Sequence, residues 1–204
     1  TFQNLHYGYD RVGNILSLAN QVAVPPPTTF GGPNKQRFGY DDLYRLTSAN
    51  GEYTSAPDKV RNYTLAMTYD TNHNILAKKQ RDTVTTAGGS TIEQKGTSYD
   101  WRYEYAGPQP HAPTHIGNRS FSYDANGNQT GWQSDVNGTR RFILWDEENR
   151  IAQIDDNGRS NRYVYDARGE RTIKQTKQGE TVYVNQYYVV RNRSIASKHL
   201  FAGT

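Results

Sequence analysis

Six times along the chain an aromatic residue stands directly before an aspartate, in a closely similar setting. The copies read YGYDRVGNIL (Asp10), FGYDDLYRLT (Asp41), MTYDTNHNIL (Asp70), FSYDANGNQT (Asp124), ILWDEENRIA (Asp146) and YVYDARGERT (Asp166). The aromatic partners are Tyr9, Tyr40, Tyr69, Tyr123, Trp145 and Tyr165. Two positions earlier stands a second large apolar or aromatic residue, as in Tyr7, Phe38 and Tyr163. A period of two places both side chains on one face of a strand. After each Asp come turn-forming residues, and around Ile15, Ile75 and Ile151 a strand pattern resumes. Each copy therefore reads as a β-hairpin: strand, Asp-led turn, strand.

A unit repeated this often cannot bury a core by itself and has to lie beside its neighbours. Successive Asp residues are 31, 29, 54, 22 and 20 positions apart. The last two intervals are the bare repeat; the longer ones hold Pro-, Gly- and Thr-rich loops near 22–34, 54–62, 85–91 and 106–114. Tyr99, Trp101, Tyr103 and Tyr105 alternate and predict a further strand. Asn50-Gly51, Asn137-Gly138 and Asn157-Gly158 predict tight turns at the opposite hairpin ends, because that pair accepts positive backbone angles. A single short helical turn is expected within 56–67, after Pro57. The expected fold is all-β: consecutive antiparallel hairpins in one long curved sheet, continuous over 1–204.

Composition fits a thin core. Leu, Ile, Val and Phe supply only 35 of 204 residues, a level at which disorder becomes a concern. The modest net charge of +4 and the 16 Tyr oppose disorder. Tyrosine rings bury apolar area while tolerating a wet edge. Lys and Arg alternate with Asp and Glu, as in RYVYDARGERTIKQTKQGE, so the basic balance points to a solvated mixed-charge surface and away from nucleic acid. No stretch approaches the roughly 20 apolar residues of a membrane span. With no Cys, neither disulfides nor thiolate chemistry enter. Both ends read as cut from a longer polypeptide.

Chemistry at the repeated Asp is disfavoured by its repetition. A catalytic carboxylate is singular and has a differently tuned partner. Asp124, Asn126 and Asn128 superficially resemble the start of a calcium loop, but Gln129 and Asp135 stand where that loop needs Gly and a bidentate Glu. His111 and His115 have the spacing of a helical zinc pair, yet Pro113 lies between them. No catalytic, metal or cofactor residue is assigned, and no enzyme activity is expected. The six Asp residues are expected to close turns by accepting backbone N–H bonds two or three residues on, with the six aromatic partners packing across strands. Trp101 and Trp132 are the candidates for stacking on sugar.

These phrases resemble the RHS or YD repeats of bacterial toxins, with relatives in animal teneurins. PHAPTHIGNRSFSYDANGN, ILWDEENRIAQI, YVYDARGERTIK and YYVVRNRSIASKHLFAGT carry the likeness most strongly, and it covers essentially the whole chain. The resemblance implies a strip of hairpins spiralling into a hollow shell that encloses a C-terminal cytotoxic domain until delivery. It implies a structural role in a secreted or extracellularly delivered bacterial protein. Its partners would be the rest of the shell, the enclosed toxin domain and other toxin-complex subunits. The DPxG-type motif of the family's self-cleaving aspartyl protease is absent from this sequence, so no protease residue is carried over. The alternative is a carbohydrate- or cell-surface-binding YD module of an adhesin-like protein, with glycans as partners.

Overall fold

The structure, a computed structural model, describes residues 3–26, 29–56 and 59–200. Among them every regular element is a β-strand. None of them forms a helix long and apolar enough to cross a membrane. The chain divides into two compact units, 1–104 and 105–204.

The first unit holds β1 (Leu5–Tyr9), β2 (Ile15–Asn20), β3 (Asn34–Tyr40), β4 (Leu46–Ala56), β5 (Lys59–Tyr69), β6 (Ile75–Thr86), β7 (Thr91–Glu93) and β8 (Tyr99–Glu104). From β1 to β6 each strand pairs antiparallel with the next. β7 and β8 then share the far edge of β6. The second unit holds β9 (His115–Ile116), β10 (Arg119–Tyr123), β11 (Gln129–Ser134), β12 (Arg140–Trp145), β13 (Ile151–Asp156), β14 (Arg159–Tyr165), β15 (Arg171–Thr176), β16 (Gly179–Asn185), β17 (Tyr188–Arg191) and β18 (Ile195–Lys198). It too is an antiparallel meander of neighbours.

Period-two patterning decides the faces. In the first unit Phe38, Ala49, Leu65, Gln80 and Tyr99 lie in register on one face, and Gly39, Ser48, Ala66 and Lys79 on the other. The first face holds most of the large apolar and aromatic side chains, and among the described residues no other element of the same unit packs on it. Among the described residues only Ala49 and Val189 are buried hydrophobics, at 4% and 6% exposure. The chain exposes 14440 Å², whereas two separate compact globules of half its mass would expose about 11,700 Å². Cohesion therefore comes from ladders and from lateral contact between neighbouring side chains.

Four local expectations need correction. Asn50-Gly51 lies inside β4, not in a turn, because the ring of Tyr63 lies over the glycine; a Cβ at Gly51 would overlap it. Residues 54–62 are mostly strand, β4 and β5 being joined around 57–58, which lie outside the described residues. No helical turn forms over 59–67, which belongs to β5; Tyr63, Leu65, Met67 and Tyr69 alternate as a strand requires. Tyr105 falls outside β8. Residues 22–33 and 105–114 carry no strand among the described residues, in line with the loops expected there, and 87–90 form a short turn. Asn157-Gly158 forms the expected turn, with φ of 50° and 82°.

Candidate functional site: aspartate turns and aromatic links between hairpins

All six Asp-led turns have the same geometry. Asp10 Oδ1 accepts the N–H groups of Val12 and Asn14 at 3.0 and 2.8 Å, and its own N–H donates to Asn14 O at 2.9 Å. Asp41, Asp70, Asp124, Asp146 and Asp166 repeat the Oδ1 pattern toward the second and fourth residues on. The acceptor pattern is thus two and four, not two and three. The third residue takes a left-handed backbone in every copy: Gly13, Tyr44, His73, Gly127, Asn149 and Gly169. Immediately before each aromatic residue the ladder slips by one residue, a bulge that sharpens the local twist.

The fourth residue after Asp decides how firmly the turn is held. Asn14, Asn74 and Asn128 donate side-chain N–H to the second Asp oxygen at 2.8, 3.0 and 3.0 Å. Arg45 and Arg150 do so through Nε at 2.7 and 2.8 Å. At the sixth turn this position is Glu170, which has no proton to offer Asp166 at neutral pH. Glu170→Arg is expected to raise stability by about 0.5–1 kcal/mol, read as a higher urea midpoint at unchanged slope.

The hydrogen bonds have a titration signature. Asp41 and Asp146 are held below the ordinary carboxylate range, first by the backbone N–H of Arg45 and of Arg150. At Asp10 and Asp124 desolvation pushes upward, but bonds from Asn14 and Asn128 and their neighbours outweigh it. A folded pKa below the unfolded one gives stability that is complete above the unfolded value and lost as pH falls through the folded value. The urea midpoint is therefore expected to hold from neutrality to about pH 4 and drop below it. Asp41→Asn should flatten part of that acid limb.

In four of the six copies the aromatic residue before Asp ties its hairpin to the one before it. Tyr40 Oη donates to Ile15 O at 2.9 Å, Tyr69 Oη to Leu46 O at 2.8 Å, Trp145 Nε1 to Gln129 O at 2.8 Å and Tyr165 Oη to Ile151 O at 2.9 Å. In all four the acceptor is the fifth residue after the preceding Asp. Tyr123, which follows a loop, uses Pro113 O at 2.9 Å. Arg45 and Arg150 also lie over the rings of Tyr69 and Tyr165, at 4.7 and 4.9 Å. Asn126 and Asn128 donate across to Asn149 Oδ1 at 3.0 and 2.7 Å. Tyr9 is the exception: it is 57% exposed, stacks on Tyr7 and makes no such link among the described residues.

The remaining candidates are placed as follows. Trp132 has the Arg119 guanidinium 4.3 Å from its ring centre and that of Arg141 at 5.9 Å. Trp101 is 38% exposed and stacks on Tyr99 at 4.1 Å. The polar atoms of Asp124 and Asn128 are engaged within the turn rows, and no group of three metal-ligating side chains occurs among the described residues. His115 Nε2 meets Asp135 at 3.1 Å.

One constellation lies outside the repeated phrase. Asp82, 4% exposed, is gripped by Arg61, whose Nε lies 2.9 and 3.1 Å from its two oxygens and whose Nη2 also donates. Thr97 Oγ1 donates to it at 2.6 Å. Arg61, followed by Thr97, keeps this carboxylate ionised despite burial. Only the pairing register of β5 with β6 and the path of the 94–98 turn bring the three together, so no sequence spacing announces them. In comparisons with known proteins the chain matches no family model and no curated protein.

Proposed function

We propose that this chain is a segment of the wall of an RHS-type shell, part of a delivered bacterial toxin that encloses a cytotoxic domain. The carrying observation is the aromatic link from Tyr40, Tyr69, Trp145 and Tyr165 to the preceding hairpin, in sheets where, among the described residues, no other element of the same unit packs on the face. Such a link makes the hairpin an additive unit: each new copy needs only the return strand of the last. A one-layer sheet with an uncovered aromatic face suits a partition between two environments better than a self-contained globule. Tyr9 lies on the strand to which the next unit would be added, and its unlinked hydroxyl suits such an extension.

On this reading the partners are further hairpins and an enclosed domain, and the place of action is outside the producing cell. Limited proteolysis of the natural polypeptide that carries this segment tests it. The expected result is a downstream domain resistant to protease until the wall is opened by denaturant. Digestion of that domain at the rate of a free linker contradicts enclosure. The isolated segment should also self-associate through its open strand edges. Monomeric light scattering at high concentration would count against that.

A further inference from the structure

On the aromatic-rich face of the first unit, β4 presents Ala49 and Gly51 in succession on the same side. A groove of about 340 Å³, within the range of small-ligand sites, opens on this face beside Gly51 and the Tyr63 ring that covers it. Eleven residues line it, and none is aliphatic. Two are tyrosines; most of the others carry amides, hydroxyls or charges.

The rings are set by their own hydrogen bonds, Tyr53 Oη to Gly31 O at 2.9 Å and Tyr63 Oη to Gln36 Oε1 at 3.4 Å. Arg61 is committed to Asp82, so that pair adds no net charge. Lys35 and Glu52, opposite each other on adjacent strands, alternate with Gln36 and Gly51 and so direct their charges to the opposite face of the sheet. Aromatic faces beside planar amides, with no net charge and no aliphatic lining, match a ligand that has a C–H face and hydroxyl edges.

We propose that this groove binds a neutral pyranose sugar, its C–H face against the Tyr53 and Tyr63 rings and its hydroxyls toward Gln36 and Asn34. This places saccharide recognition away from Trp101 and Trp132. It does not depend on whether the sheet encloses a cargo, and failure of either reading leaves the other standing.

Amide-resolved NMR titration with D-glucose, D-galactose and N-acetyl-D-glucosamine tests it, with D-glucuronate and phenol as contrasting probes. At least one neutral sugar is expected to shift the Gly51 and Tyr63 amides, with a dissociation constant on the order of 1 mM. Tyr53→Ala should weaken binding about five- to tenfold, and Gln36→Ala should weaken it too, both with otherwise unchanged spectra. Shifts centred on Trp101 or Trp132, tighter binding of glucuronate or phenol, or no shift with any neutral sugar would each overturn the proposal.

Discussion

Arg61→Ala is expected to destabilise the first unit by about 3 kcal/mol. The reason is what it leaves behind: Asp82, 4% exposed, would keep only the Thr97 hydroxyl as a side-chain donor. Breaking a fully buried ion pair from one side costs about 3–5 kcal/mol; here only the carboxylate is buried and the Thr97 bond survives, which argues for the lower end. The reverse change should be milder, because Arg61 is half exposed and can turn to water. Asp82→Ala is therefore expected to cost less than Arg61→Ala, and the double variant less than the sum. The pH dependence should also invert locally. Without Arg61 the buried carboxylate is better protonated, so the deficit should shrink as pH falls toward about 4. Hydrogen exchange of the β5 and β6 amides, compared at neutral and acid pH, reads all of these. Equal costs for the two single variants would show that burial of Asp82 is not the controlling term.

Trp145→Ala carries the second large effect, about 2–3 kcal/mol. The half-buried indole loses lateral contact and its N–H bond to Gln129 O at 2.8 Å. Full burial would cost about 3–5 kcal/mol, so partial burial lowers the figure. Trp145→Phe keeps most of the ring contact and should cost about 1 kcal/mol for the hydrogen bond. The location of the damage matters more than its size. If the aromatic residue links hairpins, faster exchange will appear at Gln129–Ser134 in the preceding hairpin as well as around Asp146. Damage confined to the Asp146 turn would mean that the aromatic serves its own hairpin alone.

The hairpins were legible in the sequence because their determinants are local. An aromatic residue two positions from another apolar one, then Asp, then a left-handed position, specify strand and turn within ten residues. Tyr44 and His73 take the left-handed conformation without glycine, held by the Asp hydrogen bonds on either side. Gly51 departs from the expected turn for the opposite reason. Its role depends on the Tyr63 ring brought over it by β5, and a turn dipeptide looks the same wherever tertiary contacts place it. The helical turn expected after Pro57 gave too much weight to proline and too little to the alternation from Tyr63 to Tyr69. The linking role of the aromatic residues needed the structure, since a hydroxyl's acceptor lies in the neighbouring hairpin at a spacing that varies with loop length. Asp82 was hidden altogether: one carboxylate among 20 acidic residues becomes buried only through strand register.

On the function proposed above, these hairpins form a partition whose aromatic face is left for something other than this segment. A cryo-electron microscopy reconstruction of the natural polypeptide that contains residues 1–204 tests it most directly. The expected result is continuous hairpins, with Tyr9 linked to a preceding strand, bounding a cavity that holds another part of the chain. A second layer of the same domain packed on the aromatic face, closing an ordinary hydrophobic core, would contradict it.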